Sequence, residues 1–373
     1  MSPGYESSLH ETRTAAWLGM ALGVTFGLCF FTGVWSHLAQ DPPSWFEYPA
    51  RPAGLYRITQ GVHVASGFAA IPLLLAKLWV VHPRFVEWPP ARSVLHAVER
   101  LALLPLVGGS LFQLFSGTAN VARWYPWSFF FPRAHFWVAW VTIGVLVVHV
   151  GAKSVATRDA LRRAPRDPAS VTASPQERRA FLGGVAAASI GLVTATVGGT
   201  FAVLSPLSVL AQRRPGVGPQ GLPVNKTAAG ARVTETAVDP GYRLEVVGRI
   251  ATPLRLSLAD LRDLPQHDAE LPIACVEGWS TSARWRGVRA RDLLALAGVE
   301  GDDTEVLVES LQPTGRYRAS TLNPDQATDH DTLFALELNG EPLHIDHGFP
   351  VRLVGPNRPG VLQTKWVSRV TVR

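Results

Sequence analysis

The chain has 373 residues with a formal net charge of +6, 47% hydrophobic residues and only 17% charged residues. That is lean in charge for an average soluble protein and long enough for two units. Much of the positive charge lies in residues 153–179, so it speaks to topology and not to a nucleic-acid surface. Of the two cysteines, Cys29 lies in an apolar run, which argues against a disulfide with Cys275. No C-x-x-C-H occurs and there are too few cysteines for an iron–sulfur cluster.

In chain order, residues 14–36 are almost uninterrupted apolar, enough to span a bilayer. Similar runs follow from about Ile58 to Val81, Leu101 to Phe115 and Ala134 to Val150, so the first is not a cleaved signal peptide. Trp45, Trp88, Trp124, Tyr125 and Trp127 fall between them, as interfacial anchors do. After the fourth run come Lys153, Arg158, Arg162, Arg163, Arg166, Arg178 and Arg179. By the positive-inside rule this segment is cytoplasmic, and loops 37–57 and 117–133 face out. A fifth, milder run covers Ala180 to Leu204, preceded by Pro175-Gln176-Glu177-Arg178-Arg179-Ala180-Phe181-Leu182. Those paired arginines before Phe-Leu resemble a twin-arginine export signal, a receptor-read address for folded domains; ordinary stop-transfer arginines are the other reading. Either way residues after about 206 are extracytoplasmic.

Three histidines sit in or at the rims of these runs: His63, His135 and His149. Ionisable residues at such depth are costly and tend to be functional. His135 and His149 are fourteen residues apart, within about 40° of one helix face and about 21 Å apart along it. One helix thus offers ligands near both membrane surfaces. His63 and His135 match in depth and can form a bis-histidine haem site, since neutral imidazole binds haem iron and bundles house cofactors. The inner partner of His149 is His96, at the start of the third helix, or His82, which precedes a proline in apparent loop. The four helices resemble the cytochrome b family of membrane anchors. That likeness implies one or two b haems and electron exchange with quinone.

Beyond a Pro/Gly linker at 212–221, the chain reads as mixed α+β. Strands are expected at 243–250, around Leu271 and Ile273, and at 305–311, 333–338, 342–345, 351–354 and 366–372. Ser257 to Asp260 is a capping-box pattern, Gly298 a helix stop, and Asn339-Gly340 a hairpin turn. Cys275 stands where a strand meets the tight loop made by Gly278. A thiol there is a nucleophile, a soft metal ligand or a small buried side chain.

The run CVEGWS from Cys275, Trp285-Arg286-Gly287-Val288, the helix-like RARDLLALAGV (289–299) and LELNGEPLHIDHGFPVRLVGP (336–356), followed by Gly360 and Lys365-Trp366-Val367, resemble the molybdopterin domain of the sulfite oxidase family. The resemblance covers roughly residues 222–373. It implies that Cys275 binds molybdenum and is the catalytic ligand. It also implies that Arg352, His347, Thr364, Lys365, Asn225 with its neighbour Lys226, and Ser310 contact the cofactor. Arg284, Arg286, Arg316 and Arg318 are candidates for the substrate entrance. Pro359 departs from the family, where an aromatic precedes the glycine.

The expected fold is a membrane α-helical bundle of four helices plus a fifth anchoring helix, followed by a mixed α+β sulfite oxidase-type molybdopterin domain. The expected divisions are a four-helix cytochrome b-like domain (1–156), a basic cytoplasmic linker (157–179), the fifth helix with its export signal (180–206), a linker (207–221) and the molybdopterin domain (222–373). The expected function is oxygen-atom transfer between a small oxo-donor or oxo-acceptor and an extracytoplasmic molybdenum centre, coupled through b haem to the quinone pool. Sulfite-oxidising relatives send electrons into the membrane; relatives resembling the periplasmic methionine sulfoxide reductase send them outward. Two rival readings are a haem-free anchor served by a soluble partner and a non-enzymatic membrane protein. No nucleic-acid partner is expected.

Overall fold

The computed structural model describes residues 7–85, 93–162, 173–299, 301 and 303–373. The chain divides into two compact units, which interleave along the sequence. One takes the chain up to Val34, Val62–Val197 and Leu207–Leu210; the other takes Trp35–Gly61, Gly198–Pro206 and Ala211–Arg373.

The first unit is helical. It contains α1 (Thr12–Gln40) up to Val34, α2 (Leu55–Phe85) from Val62, α3 (Val94–Val121), α4 (Phe131–Arg162) and α5 (Pro175–Thr196). Among the described residues these five helices are long and apolar enough to cross a membrane. The first four outrun their apolar stretches, because the flanking Ala, Lys, Arg, Glu and Gln residues are good helix formers. Two expectations are corrected. His82 is helical, with Pro72 and Pro83 carried inside α2. The fifth helix begins at Pro175, so Arg178 and Arg179 lie in its first turns and not ahead of it. Ser174 caps it reciprocally with Glu177: Ser174 Oγ accepts from Glu177 N at 3.1 Å, and Ser174 N donates to Glu177 Oε2 at 2.8 Å. Regular helix stops at Thr196, and short 3₁₀ turns at Val197–Gly199 and Ala202–Leu207 replace the rest of the expected run.

Small residues bring these helices together. A Cβ on Gly109 of α3 would lie 2.2 Å from Thr142 Oγ1 of α4. Ala15, Leu18, Val80 and Val185 form a buried cluster among α1, α2 and α5. Lys77 Nζ donates to Ala15 O at 2.5 Å, and Arg178 pairs with Glu11 at 2.6 Å.

The second unit is mixed α/β. In chain order it has α6 (Ala228–Ala231), α7 (Thr234–Ala237), β1 (Leu244–Gly248), β2 (Leu254–Leu256), α8 (Leu258–Asp263), β3 (His267–Cys275) and β4 (Trp279–Arg289). Then come α9 (Ala290–Leu296), β5 (Val306–Ser310), β6 (Ala319–Leu322), α10 (Pro324–Thr328), β7 (Leu333–Leu338), β8 (Glu341–Pro342), β9 (Arg352–Val354) and β10 (Val367–Val372). One sheet has the order β2-β1-β10-β5-β6, with β1 and β10 parallel. The other runs β3-β4-β7-β8, with β9 also on β7. The capping box at Ser257, the left-handed Gly298 and the Asn339-Gly340 turn, with φ of 53° and 88°, all form as the local sequence dictates. A long strand, β4, stands where a motif alone was expected. It alternates buried and open positions and bulges at Gly287, whose missing Cβ admits the Phe334 backbone.

The segment before Leu55 belongs to this second unit. Asn357, buried in a left-handed conformation, organises it. Its Oδ1 accepts from Tyr56 N at 2.7 Å, its Nδ2 donates to Pro49 O at 2.7 Å, and its N donates to Ala53 O at 3.0 Å. Tyr48 and Tyr56 pack on Ala274, next to Cys275.

Candidate functional site

β3 alternates its side chains, so Ile273 and Cys275 share one face while Ala274 points to the other. The register pairs Cys275 with Trp279, leaving Val276–Gly278 as a three-residue hairpin loop. Gly278, at φ 81°, makes that loop possible, and its N donates to Cys275 O at 3.1 Å. The loop is fastened from outside by Thr200, whose Oγ1 donates to Gly278 O at 2.5 Å, and by Ser280 Oγ, which donates to Thr200 O at 3.0 Å.

Cys275 sits in a pocket with Leu222, Pro223, Asn225, Ile273, Trp279, His347, Arg352, Gly360 and Lys365. Five of the residues singled out from sequence therefore converge: Asn225, Cys275, His347, Arg352 and Lys365. The other three, Lys226, Ser310 and Thr364, stand behind them. Lys226 Nζ donates to Gln312 Oε1 at 2.5 Å. Ser310 Oγ donates to Lys365 O at 2.8 Å, and Thr364 Oγ1 shares a 2.7 Å hydrogen bond with Ser320.

The electrostatics separate the three readings of Cys275. Burial first, and then the nearby Glu277 carboxylate, push its thiol up to about 12. Such a thiol is a poor nucleophile at neutral pH, but a bound metal deprotonates a coordinating thiol outright. Around it stand Arg352 and Lys365, neither with a carboxylate within ion-pairing distance among the described residues. Arg352 is 4% exposed, donates to His347 O at 3.1 Å and stacks over Trp285 at 5.2 Å; its Nε is buried without a hydrogen bond, and burial lowers it to about 9. Lys365 Nζ donates to Lys226 O at 2.9 Å and Asp346 O at 2.7 Å, two neutral carbonyls, and burial drives its pKa well down. His347 donates from Nε2 to Pro219 O at 2.8 Å, and burial followed by the Arg352 charge hold it down to about 4, hence neutral. Unpaired buried cations cost several kcal/mol each by desolvation, so this cradle is built for an anion.

The four arginines expected at the entrance do not line the pocket. Arg284 and Arg286 lie on β4 and hold Asp268 at 3.1 and 3.0 Å, while Arg316 pairs with Asp41 at 3.0 Å. The chain's local pattern conceals another arginine that acts electrostatically on Cys275: Arg213, in the Pro/Gly linker, which lies 3.9 Å from Glu277. Gly360 lines the pocket because a Cβ there would press on Ala274 O at 3.1 Å, and Pro359 bridges to Ala274.

A second constellation lies in the helical unit. His63 of α2 and His135 of α4 face each other with ring centroids 6.3 Å apart. His63 Nδ1 lies 2.8 Å from Cys29 O, and His135 Nδ1 2.8 Å from Ser116 Oγ. His149 lies on α4, half-buried. His96 falls on α3, but its side chain lies outside the described residues, as do Trp88, Arg163 and Arg166.

Residues 231–373 match the family described as the oxidoreductase molybdopterin binding domain. That match supports a sulfite oxidase-type molybdopterin-binding domain over those residues. Mitochondrial sulfite oxidase of Rattus norvegicus is 39% identical over 162 residues, which is 36% of this chain and 30% of that protein. The uncharacterized oxidoreductase YuiH of Bacillus subtilis is 33% identical over 130 residues, 35% of this chain and 64% of that protein. The chain thus spans under a third of the mitochondrial relative's length. Among solved structures, the sulfane dehydrogenase SoxCD from Paracoccus pantotrophus is 25% identical over 36% of this chain and 40% of that one, with a TM-score of 0.34, too partial an overlap to speak to fold.

Proposed function

We propose that this protein is a membrane-bound, molybdopterin-dependent oxidoreductase that transfers an oxygen atom to or from a small substrate outside the cytoplasm, and exchanges the electrons with quinone through b haem. The observation that carries the first half is the pocket. One buried thiol and two buried cations without carboxylate partners converge, as a thiolate-ligated metal bearing a pterin phosphate requires. When bound, such a cofactor supplies the two-electron redox chemistry. Cys275 would be its protein ligand. Arg352 and Lys365 would neutralise its phosphate side, Asn225 and neutral His347 would hydrogen-bond it, and Lys226, Ser310 and Thr364 would hold those residues in place. Trp279, Leu222 and Ile273 supply apolar lining.

The second half rests on the five apolar helices and the histidine pair. Two metal–nitrogen bonds of about 2 Å, plus the distance from each nitrogen to its ring centre, give a centroid separation close to the one found between His63 and His135. That spacing supports the reading that both imidazoles would hold a haem iron. His149, with His96, would hold a second haem. Arg178 and Arg179 support export by the twin-arginine route. The divisions at 156, 179, 206 and 221 stay part of this reading.

Metal analysis and optical spectroscopy of the detergent-purified protein test it. Wild type is expected to carry molybdenum and a b-type spectrum, and Cys275→Ser to lose turnover while keeping the haem bands. Haem reduction on adding sulfite marks an oxidase; reoxidation of reduced haem by methionine sulfoxide marks a reductase. A protein without molybdenum, or a Cys275→Ser variant with wild-type turnover, sinks the proposal.

A further inference from the structure

The oxygens facing His63 and His135 decide where each imidazole keeps its proton. Cys29 O is a carbonyl and only accepts, so His63 Nδ1, 2.8 Å away, carries a hydrogen. Ser116 Oγ can donate or accept, but its own hydrogen is committed to Phe112 O, one turn back on α3 at 2.7 Å. Toward His135 the hydroxyl is therefore the acceptor, and His135 Nδ1, at 2.8 Å, is also N–H. Ser116 has no exposed surface, so solvent offers no substitute partner. In their neutral forms both rings are thus the same tautomer, each with its lone pair on Nε2. Two further contacts set the rings in place. Gln113 Nε2 donates to His135 O at 2.7 Å, and Gly33 lets the α1 backbone lie against His63, where a Cβ would fall 2.9 Å from ring Cε1.

The two partners differ in kind. His63 is held by a backbone carbonyl, which no side-chain substitution removes. His135 is held by one hydroxyl, which a single substitution deletes without touching either histidine. We infer that Ser116 is the positioning residue of this pair: it holds His135 in the Nδ1–H form and orientation that present Nε2 to an iron whose other axial ligand is His63. This rests on the haem reading above. Ser116 does not touch the iron; it acts through His135. Partners of this type orient a ligand ring and raise its basicity, and their loss costs roughly 10- to 100-fold in metal affinity.

The test uses the full-length chain in detergent as wild type, Ser116→Ala, Ser116→Thr and His135→Ala. It measures haem per polypeptide, rate of haem loss, the reduced-minus-oxidised spectrum and the midpoint potential, with far-UV circular dichroism as the folding control. Ser116→Ala is expected to lose haem roughly 10- to 100-fold more readily and to shift the midpoint potential. Ser116→Thr keeps the hydroxyl and is expected to restore both. The inference is overturned if Ser116→Ala matches wild type in retention and potential, or if Ala and Thr variants fail alike, which would leave Ser116 a packing residue. If wild type carries no haem, or His135→Ala keeps the wild-type spectrum, the haem reading itself falls, a separately visible failure.

Discussion

At the scale of single residues, burial does most of the chemistry. Cys275, Arg352, Lys365 and His347 all have their charged forms disfavoured by burial. For His347 this has a sign that can be checked. Its folded pKa, about 4, lies below the unfolded value, so the unfolded chain takes up the proton first as pH falls. The stabilising contribution is fully present above the unfolded pKa of about 6.5 and is lost between there and about 4. In thermal unfolding across that window, His347→Gln, which keeps a donor for Pro219 O, is expected to show a flatter loss of stability than wild type. Equal slopes would mean that the imidazole is not held neutral. Cys275 and Arg352 were readable in sequence because their flanking motifs are long. Ser116 was not, because its meaning arises only when α3 and α4 bring it to His135. Ser310 and Thr364, expected as cofactor contacts, hydrogen-bond Lys365 O and Ser320 Oγ.

At the scale of elements, the segment ahead of α2 separates strong attachments from weak ones. Arg51 pairs with Asp329 at 2.8 Å and Asp331 at 2.6 Å, but its side chain is 44% exposed. Exposed pairs contribute about 0–1 kcal/mol. Asn357 is 2% exposed and satisfies three backbone groups. Asn357→Leu would leave Tyr56 N and Pro49 O without their side-chain partner, at about 1–3 kcal/mol for each group left buried and unmade. Asn357→Leu is therefore expected to lower the unfolding temperature of the α/β unit and open the segment to protease, with Arg51→Ala close to wild type. The reverse order would show that ion pairs hold the segment. Most of the longer strands and the turns in this unit were legible from alternation, the capping box and Asn-Gly, but the expected strand at 342–345 is only Glu341–Pro342 before a 3₁₀ turn at Ile345–His347, and the short β2 and β6 were not read. β4 was obscured because its Arg and Trp residues invited a motif reading, although its buried positions alternate from Ala283 to Gly287. Helix ends ran past the hydropathy signal because Lys153 to Arg162 continue α4 by propensity alone.

At the scale of the whole molecule, charge asymmetry carries the expected topology. Lys153, Arg158 and Arg162 lie in the last turns of α4, and Arg178 and Arg179 in the first turns of α5. If that cluster is cytoplasmic, a reporter enzyme that works only outside the cytoplasm is expected to be active fused at Arg373 and silent fused at Asp159. The opposite pattern would invert the proposed orientation. Hydropathy made five spans legible, and two separated motifs made the C-terminal domain legible. The sequence does not announce that residues 35–61 pack with a domain that begins about 150 residues later, because nothing local encodes such a partnership.

That interleaving bears on how a protein like this could be divided between two genes. A break in the stretch 207–210 would leave 35–61 and 198–206 on the first polypeptide and 211–373 on the second. The hydrogen bonds of Asn357, and the packing of Tyr48 and Tyr56 on Ala274, would then be made between separate molecules. Their occupancy would follow mass action and fall on dilution. The orphaned domain would expose the Ala274 side of the β3–β4 hairpin, so a two-gene form of this architecture has to evolve a subunit interface where the single chain has only a fold.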